Sequence, residues 1–397
     1  MNYNQQHFVF IFLFILIFSN IGLTQEVDPL DGVKIQPEMA EGISEPPGTS
    51  YFTPFENIRV NQDNTFEKQA EVSISVNSNN PDNLVSTWID YRQRGTAKIA
   101  FGFSFDGGKT WNDGILPQNL GGFPYQGDPI VASDKDGNFF ISFISFNTNP
   151  YTGGIFVAKS IDGGITWPLG NIRRLDSDDT IEDKPFIIID QTDNTTANNI
   201  YVVWDYGYTP GPPPNYSYDI VFARSTDQGE TFERSYNISD ERRPNQLGSM
   251  LAVDTNGELY AVWYAGNQTG YRDFYFDMSI DGGRSFGADI VIITVDSYTP
   301  NLGINLVPRI YPFPNIVTNP IFSGHLYLTW GNRVDAASPT APDSSDVLFI
   351  RSTDYGITWS SPINVFNNGL NPSVTPNDQF MPWISINPSG DKIDIMY

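Results

Sequence analysis

Short apolar runs and polar turns follow one another along most of this chain in an order that repeats. In one stretch "DPIVAS" gives way to the turn "DKDGN", then to "FFISFISF", "GGIFVAKS" and the octapeptide "SIDGGITW" at 160–167. A later stretch reads "SMLAV", "DTNGE", "LYAVWYAG", "DFYFDM" and "SIDGGRSF" at 279–286. Runs this short, rich in Val, Ile, Phe, Tyr and Trp and bounded by Asp, Asn and Gly, predict strands. The 3.6-residue apolar spacing of a helix is not visible.

The octapeptide recurs as "SFDGGKTW" at 104–111, "STDQGETF" at 225–232 and "STDYGITW" at 352–359, with successive copies 54–73 residues apart. Each copy ends a third strand and leads into a fourth. Four short strands per unit at this period predict the blades of a β-propeller, since solenoids with repeats so long are built from helices. The expected fold is all-β, a six-bladed β-propeller of four-stranded antiparallel blades. Blades are expected near 69–111, 126–167, 183–232, 245–286, 305–359 and 379–397, the last one incomplete. Length varies mainly between the second and third strands, as in "YTPGPPPNYSY" at 208–218, which puts those loops on one rim.

Residues 8–18, "FVFIFLFILIF", are continuously apolar but too few to span a bilayer, and 1–24 read as a signal peptide. A secreted protein, extracellular or periplasmic, is expected, with no membrane span. Residues 25–50 are acidic, rich in Pro and Gly and without periodicity, so a disordered leader is expected there. The propeller then covers 51–397. Its opening stretch, 51–62, is a lone strand candidate that would close the ring against the last blade.

Composition narrows the chemistry. A formal charge of −24 repels nucleic acid and anionic membranes, and neither is expected as a partner. The absence of cysteine excludes disulfides and thiol nucleophiles. The two histidines, His7 in the apolar leader and His325, rule out a His-rich zinc site and leave only His325 for a Ser/His/Asp triad. No cofactor or metal is expected. The acidic run "SDDTIED" at 177–183 reads as a solvated loop rather than a calcium site.

Within the octapeptides Asp106, Asp162, Asp227, Asp281 and Asp354 are placed to accept N–H groups of their own turns, and the following Gly supplies positive φ. The closing Trp or Phe is large enough to pack between sheets. One acid repeated at symmetric places around a ring serves no single substrate, so these aspartates are expected to be structural.

The pattern S/T-x-D-x-G-x-T/S-W/F resembles the Asp-box, or bacterial neuraminidase repeat, of sialidase propellers, and the resemblance covers roughly 51–397. It implies a six-bladed ring and a site with three arginines on a substrate carboxylate, a tyrosine nucleophile activated by glutamate, and an aspartate acid/base. Two places depart from that family. The arginine of the opening strand falls near Glu71 and Val72, with Arg59 a dozen residues too early, and the nucleophile's place falls on Met381.

The face opposite the octapeptides collects other candidates. Glu71, Asp128, Asp183 and Arg309, at the mouths of the innermost strands, are expected to converge on a central pocket. Asp90 or Asp128 is expected as acid, and Tyr206 or Tyr264 as nucleophile with Glu71 as base. Arg92, Arg309 and Arg333 form a possible carboxylate clamp. The leading expectation is a glycan-directed, sialidase-like protein with a diverged pocket, taking a glycan or glycoprotein ligand and binding or cleaving it. An authentic exo-α-sialidase and a non-catalytic protein-binding propeller are the alternatives. The sequence is silent on oligomeric state.

Overall fold

The computed structural model describes residues 23–28, 32–36 and 57–397, apart from 119, 149–150, 177–180, 209–216, 245, 267–271, 296–310, 334–344 and 366–378. It is an all-β propeller of four-stranded antiparallel blades whose strands follow chain order. The first blade comprises Gln69–Asn77, Asn80–Asp90, Lys98–Ser104 and Asn112–Ile115. The second comprises Tyr125–Ser133, Phe139–Thr148, Tyr151–Ser160 and Ile172–Arg174. The third comprises Ile181–Ile189, Ile200–Tyr208, Ser217–Ser225 and Tyr236–Asn237, with Arg243–Pro244 also paired to its third strand. The fourth runs Leu247–Val253, Leu259–Gly266, Arg272–Ser279 and Ile290–Val295. The fifth runs Asn315–Thr318, Leu326–Arg333, Ser345–Ser352 and Ile363–Asn364.

A further sheet joins the two ends of the chain. Its strands Trp383–Ile386 and Lys392–Met396 are continued by Leu23–Asp28 and Gly32–Gln36. Leu23–Asp28 pairs antiparallel with Lys392–Met396 in the register Gln25 to Ile393. This corrects the expectation that 51–62 would supply the closing strand: 57–62 are not in a strand, and the Gln62 side chain instead donates to the Trp111 carbonyl at 3.1 Å. Leu23–Asp28, which straddles the boundary expected between signal peptide and leader, and Gly32–Gln36 within the expected leader form this β-ribbon. The remainder of the signal and leader assignments, 1–22, 29–31 and 37–50, lies outside the described residues.

The first strand of each blade packs on the first strand of the next, from Gln69–Asn77 round to Trp383–Ile386, so these strands surround an axis. Apolar side chains fill the space between blades. Ile99 and Phe101 of the first blade meet Phe139, Ile141 and Phe143 of the second, and the second-strand indoles Trp204, Trp263 and Trp330 are fully buried. Ser73 and Ser75 point toward the second blade, where the Ser73 hydroxyl accepts from Val131 N–H at 3.1 Å. Strand alternation turns Val72, Ile74 and Val76 the other way, and they are about half exposed.

The five octapeptides form closely matching turns. In the second, the Asp162 carboxylate accepts from Ser160 Oγ at 2.7 Å, Thr166 N–H at 2.9 Å and Thr166 Oγ1 at 2.6 Å. Asp106, Asp227, Asp281 and Asp354 accept the corresponding three bonds. The second glycine of the turn presses on the preceding blade: at Gly164, with φ +93°, a Cβ would come within 2.3 Å of Val85. The closing rings bridge blades, with Trp167 5.8 Å from Phe101 and Trp359 5.7 Å from Phe276, centroid to centroid. The turns of the second to fifth blades therefore each press on the blade before, with Gly229 against Phe140, Gly283 against Phe222 and Gly356 against Phe276.

Candidate functional site

At the opposite end of the blades the innermost strands share a local distortion. Those of the first four blades carry a β-bulge near their start, between Ala70 and Ser73, Gly127 and Ile130, Asp183 and Phe186, and Leu247 and Met250. The bulged residue has a left-handed backbone: φ is 56° at Glu71, 53° at Asp128, 45° at Lys184 and 67° at Gly248, and Met381 of the last sheet follows at 54°. A non-glycine residue in this region costs on the order of 1–3 kcal/mol, and bulges characteristically re-aim a side chain. Here the strain recurs at equivalent places around the axis.

The result is a cluster of five ionisable groups. Lys184 Nζ lies 4.0 Å from Glu71 Oε1 and 3.9 Å from Asp128 Oδ1. The Lys184 backbone N–H donates to Asp128 Oδ2 at 3.3 Å and to Asp183 Oδ1 at 3.0 Å. The Asp128 carboxylate is in hydrogen-bonding contact with the carboxyl groups of Glu71 and Asp183 on either side. Asp205 sits behind them, accepting from Gly248 N–H and Ser249 Oγ, both at 3.0 Å. Glu71, Asp128 and Lys184 keep 7–15% of their side-chain surface, enough to meet a ligand at the mouth.

Burial sets the protonation of the cluster. It raises the Glu71 carboxyl well above the usual carboxylate range, and the Asp128 charge adds to the effect. Asp183 is raised for the same two reasons. At Asp128 burial also pushes upward, but the Lys184 charge and the hydrogen bonds from Glu71, Asp183 and the Lys184 backbone outweigh it and hold the group low. Asp205 is pushed up to about 7 by burial, moderated by the bonds from Gly248 and Ser249. Burial thus favours the neutral form at Glu71 and Asp183, and the Lys184 charge favours the anion at Asp128. These directions run opposite to the expected roles, favouring the proton on Glu71 and the charge on Asp128.

Aromatic surface adjoins this cluster. Lys184 Nζ lies 5.8 Å from the centroid of Phe313, which stacks on Tyr311 at 5.2 Å. Both rings are half-buried. Gly248 makes room for them, since a Cβ there would stand 2.0 Å from Phe313. Burial and the charges of Glu71 and Asp128 push the Tyr91 hydroxyl up to about 12.

Other expected site residues are placed elsewhere. Asp90 accepts from Trp88 Nε1 at 3.0 Å, Arg92 N–H at 2.7 Å and Arg92 Nε at 2.9 Å, which corrects its expected role as acid. Arg92 NH2 reaches Asp90 at 2.7 Å and Asp113 at 2.6 Å, so its guanidinium is held by two carboxylates of its own blade rather than offered to a ligand. Tyr264 is buried beneath Tyr311 and Phe313, at 6.2 and 5.5 Å, and burial raises its hydroxyl well above the usual value, against nucleophile chemistry. Tyr206 follows Asp205 on the strand and so faces the second blade, lining a separate cavity. Arg309 lies outside the described residues, and Arg333 ends the strand Leu326–Arg333.

Lys184 is the member that the sequence pattern did not single out. Its signal was the aligned dipeptide: Asp128-Pro129, Lys184-Pro185 and Met381-Pro382 occupy equivalent places in their units. Among the described residues no group of His, Cys, Asp and Glu is arranged to hold a metal ion. No helix among them is long and apolar enough to cross a membrane.

No protein-family model matches the chain, and no curated protein matches it. Solved structures do. The intramolecular trans-sialidase from Ruminococcus gnavus, in complex with oseltamivir carboxylate, aligns with a TM-score of 0.52 at 12% identity, over 81% of this chain and 88% of that one. The Penicillium chrysogenum α-L-arabinanase complexed with arabinobiose aligns at 0.51 and 13%, over 83% and 92%. The GH93 α-L-arabinofuranosidase of Fusarium graminearum with arabinobiose aligns at 0.50 and 14%, over 82% and 92%. At these identities the likeness is one of fold: this chain shares the propeller architecture of those glycosidases.

Proposed function

We propose that this protein is an exported Asp-box propeller that binds neutral glycans at the axial mouth and cleaves a glycosidic bond there, with Glu71 as the proton donor. The observation that carries this reading is the buried Glu71 carboxyl, raised well above the usual range beside Asp128 and Lys184, next to the half-buried Phe313 and Tyr311 rings. A neutral carboxyl at neutral pH is what a general acid requires, and an aromatic face beside it suits the C–H face of a sugar ring.

In the proposed step the Glu71 proton passes to the leaving-group oxygen as its bond to the anomeric carbon breaks, and water then adds to that carbon and returns a proton to the Glu71 carboxylate. Paired carboxylates of glycosidases stand about 5–5.5 Å or 6.5–9.5 Å apart. Glu71 and Asp128, in direct contact, are closer than either spacing and act as one unit. Asp128 orients the proton of Glu71, and Lys184 balances the charge of Asp128.

Three features favour a neutral sugar over a sialoside. The cluster is mostly carboxyl, Arg92 is already held by Asp90 and Asp113, and the Tyr264 hydroxyl is buried. The octapeptide turns are read as Asp-boxes, the sheet joining both chain ends as a sixth blade, and residues 8–18 as the core of an export signal. A net charge of −24 adds to the case against an anionic ligand.

The test is a panel of aryl glycosides of neutral pyranoses and furanoses, together with an aryl α-sialoside, given to the purified protein and to Glu71→Gln. Release from a neutral glycoside that the variant loses supports the proposal. Release from the sialoside alone, or no release and no glycan binding, overturns it.

A further inference from the structure

We propose that the outer edge of the fourth blade docks an extended apolar segment of another protein, flanked by lysines, which adds a strand to that sheet. Such β-strand addition needs an unpaired edge and a pocket beside it for a side chain. The fourth blade offers both at its turn end, away from the axial cluster.

The edge is the strand Ile290–Val295, "IVIITV", the last of its sheet. It pairs on one side only, with Arg272–Ser279, and no described strand takes the N–H and C=O groups of the other side. The remaining outer strands are blunted. Asn112–Ile115 carries Asp113, Ile172–Arg174 carries two arginines and Gly32–Gln36 carries Lys34. Tyr236–Asn237 and Ile363–Asn364 are two residues long. Short or charged edges resist pairing with another chain. Ile290–Val295 has neither protection: it is six residues long, β-branched throughout and uncharged. Ile290 and Val291, at its turn end, are 42% and 51% exposed.

A groove of about 180 Å³ adjoins this edge. Ile290 forms one side of it, and Phe276, Met278, Tyr355 and Ile357 line the rest, with Asp277. Ile357 is 76% exposed. An apolar groove continuous with a free strand edge marks an interaction surface, and a volume of this size holds one aliphatic side chain.

Charge selects the partner. Along 277–291 and 352–358 four aspartates, Asp277, Asp281, Asp289 and Asp354, stand against one base, Arg284. Burial pushes upward on Asp281 and Asp354, but the bonds of their turns outweigh it and hold both carboxylates low. The chain as a whole carries −24, so a second copy is repelled from this edge and a cationic segment is drawn to it. A β-branched core suits the edge and groove, and lysines on either side suit the surrounding acids.

The experiment is fluorescence anisotropy on the full chain with the labelled peptide KKTVTVTKK, beside EETVTVTEE and KKTVPVTKK. The first peptide is expected to bind, and to weaken as salt is raised. The acidic peptide is expected to bind at least tenfold more weakly, and so is the proline peptide, which lacks an N–H for the edge. Two variants of matched thermal stability carry exposed changes. Ile357→Ser is expected to cost about tenfold in affinity, the scale of one aliphatic side chain returned to water. Val291→Lys, which sets a cation on the edge, is expected to cost as much or more. Glu71→Gln is expected to bind as the parent does. No binding of KKTVTVTKK overturns the proposal, as does equal binding of the proline peptide or binding that neither Ile357→Ser nor Val291→Lys weakens. A dimer seen by light scattering, broken by Val291→Lys and not by the peptide, would give the edge to a second copy and overturn it too.

Discussion

The two ends of the blades use the same side chain in opposite ways. At the turn end, the aspartates of five octapeptides lie at or near the surface, each accepting three local hydrogen bonds, and Asp281 is held at about 2. At the axial end, Glu71, Asp128 and Asp183 are gathered on the bulged inner strands with Asp205 behind them on a second strand, and three of the four are raised on balance. Satisfied, solvated carboxylates build; crowded, desolvated ones are pushed toward their protonated forms and can do chemistry. Function in this propeller follows environment rather than residue type.

The sharpest way to break the contrast is to remove the proton donor. Glu71→Gln is expected to lower kcat/KM on a neutral glycoside by about 10²–10⁴-fold, the usual scale for a general acid, with little change in thermal stability. An equal loss from Asp162→Asn at the turn end would erase the distinction.

Next in size is the pH dependence of stability. Asp205 stands at about 7 in the folded protein against an ordinary value near 3.9 when unfolded. Between those values the folded chain holds a proton that the unfolded chain has lost, so stability falls as pH rises from about 4 to 7 and levels off above. The contribution is at most about 4 kcal/mol, and Asp205→Asn should flatten that decline in denaturant titrations at several pH values. The turn aspartates act with the opposite sign, losing their contribution only as pH falls through their low folded values.

Removing the ammonium comes third. Lys184→Met leaves Asp128 without its counter-charge and is expected to destabilise the protein by about 3 kcal/mol at neutral pH. The loss should shrink in acid, where Asp128 takes up a proton. The smallest effect belongs to the scaffold: Asp162→Ala removes three hydrogen bonds from one exposed turn, and about 1–2 kcal/mol of stability with unchanged kcat/KM is expected from chemical denaturation and steady-state assay.

The scaffold end was the legible one. Five octapeptides announce themselves by identity and period, and the strands between them by short apolar runs. The convergence of Glu71, Asp128 and Asp183 followed from topology, because first strands all enter from one rim. What the pattern hid depends on tertiary detail. Lys184 reaches the axis through a left-handed bulge that neighbouring strands impose, against the preference of a lysine before proline. Arg92 looked available because its spacing gives no hint that Asp113, from the outer strand, returns to bind it. The strands Leu23–Asp28 and Gly32–Gln36 looked like leader because a few residues with Asp, Gly and Pro carry little β signal until a sheet edge pairs with them.

The contrast between the two ends is tested most directly by titrating the side-chain carboxyl carbons with 13C NMR. Glu71 is expected to remain protonated past neutral pH while Asp281 titrates near 2, and Asp128→Asn should bring Glu71 back toward the ordinary range. Glu71 titrating near 4.5 in the unmodified protein, alongside exposed glutamates, would contradict the account.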